Sequence, residues 1–108
     1  MSKVLTARKL YQKKDVEIGD VFRIPYNKRG YVQIPRVVTR FLKLEPGDFV
    51  EVSGENGLCT LRACSGETFY RLQPCRGDLR LRKKYLEGYS LTEKDIMVTV
   101  LNAHLLLT

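Results

Sequence analysis

Two short runs near the start of this 108-residue chain read as strands: "VFRIPY", led in by the Gly19-Asp20 turn, and "YVQI", in which apolar and polar side chains alternate. In the second run Val32 and Ile34 share one side while Tyr31 and Gln33 take the other, the period of a half-buried strand. The intervening "NKRG" predicts a hairpin turn, with Asn27 and Gly30 suited to positive φ. Pro35 ends the second strand and can open a helix at its first position, where a missing N–H costs nothing. The period then changes. In "RVVTRFLKL", Val37, Val38, Phe41 and Leu42 recur at spacings of three and four, with Arg36, Thr39, Arg40 and Lys43 on the opposite face. "EPGD" follows as a tight turn, "FVEV" as a strand, "GENG" as a hairpin turn and "LCTLRA" as a closing strand.

The same order of parts returns further along. Moving 47 positions aligns Phe22 with Phe69, Arg29-Gly30 with Arg76-Gly77, Leu44 with Leu91 and Asp48 with Asp95. Val32 and Ile34 fall on Leu79 and Leu81, and Phe49 falls on Ile96. A one-residue slip then pairs Val50 and Val52 with Val98 and Val100. The second series reads as strand "FYRLQ", turn "CRG", strand "LRL", basic helical turn "RKKYLEGY" ended by Gly88, then strands "IMVTVL" and "HLLL". Ser90 with Glu93 has capping-box spacing but marks a turn here, because apolar residues follow at once. Three segments result. Residues 1–19 are a basic arm or an extra strand, 20–63 a first half and 64–108 a second, degenerate half of one compact domain.

Charge follows the same division. Val21 to Leu44 holds Arg23, Lys28, Arg29, Arg36, Arg40 and Lys43 without an acid, and Glu45 to Leu61 holds four acids without a base. Thr68 to Leu86 repeats the basic block with Arg71, Arg76, Arg80, Arg82, Lys83 and Lys84 against Asp78 alone. With a net charge of +7 and an isoelectric point near 9.5, this polarity points to polyanions met by one face. The chemistry of other classes is not visible. Cys59, Cys64 and Cys75 lack C-x-x-C spacing, and His104 is the single histidine, so no zinc set and no nucleophile pair is indicated. We therefore expect no enzyme, no cofactor and no metal, with Asp48 and Asp95 bonding turn N–H groups instead. No apolar run suits a membrane span, and "MSKVLTARKLYQKKD" lacks the apolar stretch of a signal peptide. A cytoplasmic, nucleoid-associated protein with reduced thiols is the expectation.

The stretch "GYVQIPRVVTRFLKLEPGDFVEV" resembles the swapped-hairpin DNA-binding domain of the AbrB/MazE/SpoVT family. Gly30, Val32, Ile34, Pro35, Arg40, Leu42, Leu44, Pro46, Gly47, Asp48, Val50, Glu51 and Val52 fall on positions of that family's pattern, and "NGLCTLR" suits its closing strand. The chain departs from the pattern at Tyr31, Val37, Thr39 and Lys43, which bears on DNA contact more than on fold. The resemblance implies a mostly β protein with short helical turns. In that family two protomers interleave hairpins to close one barrel; here both halves would come from one chain, as a swapped-hairpin or double-psi-like β-barrel with a pseudo-twofold internal repeat. A monomeric pseudo-dimer or a homodimer is then expected.

The implied function is that of a DNA-binding transcriptional regulator acting on double-stranded DNA, with RNA as a competing polyanion. Its contacts would come from Arg23, Lys28, Arg29, Tyr31, Arg36, Arg40, Lys43, Arg71, Arg76, Arg80, Arg82, Lys83 and Lys84. Most of these would meet phosphates, with Arg23, Arg29, Arg76 and Arg80 the candidates for base edges. The alternative is a protein-interaction barrel, antitoxin-like or an adaptor, without nucleic-acid binding. The apolar ending "NAHLLLT" lacks the acidic tail with which antitoxins of that kind grip a toxin.

Overall fold

The computed structural model describes residues 4–6, 9–10, 15–45, 47–64, 70–71, 78–91 and 95–108, with the backbone alone for Tyr70, Arg71 and Tyr85. The described residues are mostly β. Strands β1 (Val4–Thr6), β2 (Val21–Ile24), β3 (Tyr31–Ile34), β4 (Phe49–Glu55), β5 (Leu58–Cys64), β6 (Tyr70–Arg71), β7 (Leu79–Arg82), β8 (Ile96–Leu101) and β9 (His104–Leu107) alternate with two short helical turns, α1 (Arg36–Phe41) and α2 (Lys83–Leu86). Seven strands form one mixed sheet in the order β1-β2-β8-β9-β5-β4-β6, and β3 pairs with β7 as a separate ribbon. Among the described residues only the β1–β2 pairing is parallel. No helix among the described residues is long and apolar enough to cross a membrane.

The sheet and the ribbon share one apolar cluster. Strand alternation turns Phe22, Ile24, Ile96, Val98, Val100, Leu105 and Leu107 inward from the sheet, and Val32, Ile34, Leu79 and Leu81 inward from the ribbon. Each fully buried side chain of this size contributes about 1.5–3 kcal/mol relative to exposure. The described residues of the first nineteen are part of this body. β1 extends the sheet beside β2, and Leu10 and Val16 are buried in the common core.

Turn chemistry fixes where the strands begin. In "EIGD" and "EPGD" the same reciprocal pair of bonds closes the loop. The Asp20 N–H donates to the Glu17 carbonyl (3.1 Å) while the Glu17 N–H donates to the Asp20 carboxylate (3.0 Å). The Asp48 N–H donates to Glu45 (2.9 Å) and the Glu45 N–H to the Asp48 carboxylate (2.7 Å). Gly19 and Gly47 supply the positive φ such turns need, at 97° and 93°. Both aspartates are thus spent on their own backbone. Further on, Asn56-Gly57 is a two-residue hairpin loop between Glu55 and Leu58, and Asn102-Ala103 repeats it between Leu101 and His104.

The second half repeats the pairings of the first. β2 lies antiparallel beside β8 as β6 lies beside β4, and hairpin β8–β9 repeats hairpin β4–β5. Strands β5 and β9 pair with each other, as do β3 and β7. The helical turns also end alike. Leu44 N–H reaches back to the Thr39 carbonyl and Lys43 N–H to Arg40, while Leu91 N–H reaches to Leu86 and Ser90 N–H to Glu87. Both are left-handed caps of the Schellman type, with Lys43 and Ser90 at φ 59° and 57°.

Four local expectations are corrected. "NKRG" is a closed turn, with the Asn27 side-chain oxygen accepting from Arg29 N–H (2.9 Å) and Tyr31 N–H (3.2 Å), yet it joins no hairpin. β2 is already flanked by β1 and β8, so β3 leaves for the ribbon. Thr39 is buried, not on the polar face, because its hydroxyl donates to the Arg36 carbonyl at 3.1 Å and so hides its polarity within the helix. Gly88 lies inside the 3-10 turn Glu87–Tyr89, and Ser90 takes the left-handed cap in its place. The slip between halves runs the other way. Matching the two hairpins residue for residue sets Val50 on Ile96 and Val52 on Val98, so the second connection is one residue shorter. The "CRG" turn, most of "FYRLQ", and Thr92 to Lys94 lie outside the described residues.

Candidate nucleic-acid interface

The ribbon is where the two halves meet with their polar sides outward. Cross-strand pairs are Tyr31↔Arg82, Val32↔Leu81, Gln33↔Arg80 and Ile34↔Leu79. Because the apolar members of both strands face the core, Tyr31, Gln33, Arg80 and Arg82 share the opposite side. The ladder continues one step further, with Lys83 N–H donating to the Gly30 carbonyl at 2.9 Å. That bond holds the first basic residue of α2 against the "NKRG" turn. Gly30 itself sits at φ 81°, a left-handed conformation that glycine adopts without strain.

At this end of the ribbon is a cleft of about 520 Å³ lined by Arg29, Gly30, Tyr31, Arg80, Arg82, Lys83 and Lys84. Five of the seven are cations, and none is an acid. All five side chains are exposed. Like charges gathered this closely raise the local positive potential. The Arg80 guanidinium lies 5.2 Å from the Tyr31 ring centroid, diagonally across the ribbon. This cation–π contact keeps one planar fork beside a ring that also lines the cleft. Arginine offers paired donors to phosphate or guanine, whereas the lysines act as point charges.

The far end of the ribbon is different. There the Gln33 amide donates to the Asp78 carboxylate at 2.5 Å, and Asp78 is only 5% exposed. One Gln33 N–H is used in this way, which leaves the amide oxygen and the second N–H for an outside partner. Gln33 was not among the expected contacts, although its alternation with Tyr31 already put the two on one side.

Of the thirteen expected contact residues, Arg29, Tyr31, Arg80, Arg82, Lys83 and Lys84 converge on the cleft. Lys28 is exposed in the same turn as Arg29. Arg36 and Arg40 are exposed on α1 and Lys43 at its cap, while Arg23 is exposed on β2. Arg71 belongs to β6 by its backbone, and Arg76 lies outside the described residues. Among the described residues no group of His, Cys, Asp or Glu is placed to hold a metal ion. Comparison with known proteins identifies no relative, since no family model, no curated protein and no solved structure matches the chain.

Proposed function

We propose that this chain binds duplex DNA as a regulator of the AbrB/MazE/SpoVT kind, with one polypeptide supplying both halves of the barrel. The paired halves of the sheet support the barrel reading. β2 and β6 stand at corresponding places in the order β2-β8-β9-β5-β4-β6, and each precedes one strand of the β3–β7 ribbon. The ribbon and the sheet bury their apolar faces in one common core, as the layers of such a barrel would.

The observation that carries the function is the cleft. It joins Arg29 of the first half to Arg80, Arg82, Lys83 and Lys84 of the second on an antiparallel ribbon. A two-stranded ribbon fits the major groove of B-DNA, which is about 12 Å wide. In such a pose the cleft cations meet phosphates, while Gln33 faces base edges, where glutamine suits adenine. The deep, narrow major groove of A-form RNA does not admit a ribbon, so duplex DNA is the favoured polyanion.

Fluorescence anisotropy with a labelled duplex of about 30 bp, titrated over roughly 50–200 mM KCl, tests this. Engagement of about six phosphates gives a log–log salt slope near −5. A slope shallower than about −2, or displacement by RNA duplex as readily as by DNA, refutes the reading.

A further inference from the structure

The two ends of the ribbon are chemically unequal, and we infer that the protein grips DNA in one orientation, anchored on phosphates at the cleft end. This rests on the DNA-binding reading above and adds the kind of target it selects. The offset that carries one left-handed cap onto the other, Lys43 onto Ser90, also carries Val32 onto Leu79 and Arg36 onto Lys83. It therefore names the twin of every cleft residue. Arg80 has Gln33 as its twin, Arg82 has Pro35, Lys84 has Val37, and Tyr31 has Asp78. Only Arg29 and Lys83 have basic twins, Arg76 and Arg36.

Three cations of the cleft are thus absent from the other end, and an acid stands where the cleft has an aromatic ring. These differences are built into the packing. Val37 is 7% exposed and belongs to the core, and Asp78 is buried and bonded to Gln33. Among the described residues, no rotamer change at Val37 or Asp78 supplies the missing cations. A symmetric dimer must show the same surface twice and so reads inverted half-sites. One chain carrying both halves is free of that constraint, and here the twin surfaces have diverged in charge. The consequence is a non-palindromic target bound by a single chain, its phosphate anchor to one side of the bases read by the ribbon.

Two matched substitutions in the full chain give the test. Lys83→Ala at the cleft and Arg36→Ala at the far end remove twin cations, and binding is read with random-sequence duplex of about 30 bp. We expect Lys83→Ala to weaken binding about tenfold near 0.1 M salt and to flatten the salt slope by about 0.9, with Arg36→Ala costing less than about twofold. Arg80→Gln combined with Arg82→Ala gives the cleft two neutral residues like its twin and should cost about 60-fold, flattening the slope by about 1.8. It serves as the second probe should Lys83→Ala fail to fold, and thermal melts check folding throughout. A pool of duplexes enriched on the wild-type chain should yield an asymmetric consensus. Equal losses at the two ends, or a palindromic consensus, overturn the inference while leaving DNA binding intact. If the wild-type chain retains no duplex at all, the functional reading fails first and takes the inference with it.

Discussion

Lys43 and Ser90 offer a test of the repeated architecture that needs no ligand. Each closes a helical turn in the left-handed region, at φ 59° and 57°, and each lies one residue before a buried leucine whose N–H makes the long bond of the cap. An L-residue there suffers about 1–2 kcal/mol of Cβ–carbonyl crowding. Glycine escapes that strain but loses about 0.5–1 kcal/mol more chain entropy on folding. Lys43→Gly and Ser90→Gly should therefore each stabilise by about 0.5–1 kcal/mol, since the cap bonds are all backbone and survive the change. For 108 residues an unfolding entropy of about 2.1 cal/mol/K per residue makes 1 kcal/mol worth about 4 °C. Each variant should then melt about 2–4 °C above the wild type in differential scanning calorimetry, and the double variant about 4–8 °C above. Gly30→Ala, at φ 81° with open space around it, is the opposite control and should melt lower. A double variant that melts at or below the wild type refutes the claim that both halves end their helical turns with the same strained cap.

Other outcomes follow from packing and ionisation. A methyl at Gly54 would collide with the Leu58 carbonyl and come within 2.7 Å of the Cys59 Cα, both backbone, so Gly54→Ala should cost at least about 2 kcal/mol in urea melts. Burial pushes the Cys59 thiol from 9.0 up to about 11, a smaller hydrogen bond from the Ser53 backbone working against it. The folded state thus holds this proton more tightly than the unfolded chain. Its contribution is fully present below about pH 9 and is lost as pH rises towards 11, on the order of 2 kcal/mol. Cys59→Val should remove that component, and identical pH profiles for variant and wild type would contradict it. Glu51 and Arg62 face each other across β4 and β5 at 2.7 Å, but with the arginine side chain 59% exposed. Replacing both with alanine should change stability by less than about 1 kcal/mol, as measured by the same melts.

Much of the local structure was legible because it depends on short-range physics. Alternation at Val32 and Ile34 gave a strand with its polar members together, and the same rule gave β8 and β9. "EPGD" could be read as a turn since Gly47 and the Asp48 carboxylate satisfy it within four residues. Thr39 misled because a hydroxyl bonded to its own helix is compatible with either face, and only the packing shows which. Gly88 misled because glycine permits a left-handed cap without compelling one, and the chain placed that strain on Ser90.

What the sequence determined by itself was the menu of elements and the two blocks of basic charge, since period and turn chemistry are local properties. It gave Tyr31, Arg80 and the other cleft residues as separate candidates, without saying that residues some fifty positions apart in the chain would line one wall. Pairing decided that. Only when β3 takes β7 as its partner, and Tyr31 meets Arg82 while Gln33 meets Arg80, do the charges of both halves gather at one end and Asp78 reach Gln33 at the other. Register between distant strands is fixed by the apolar faces they bury together, and that burial exists only in the folded chain.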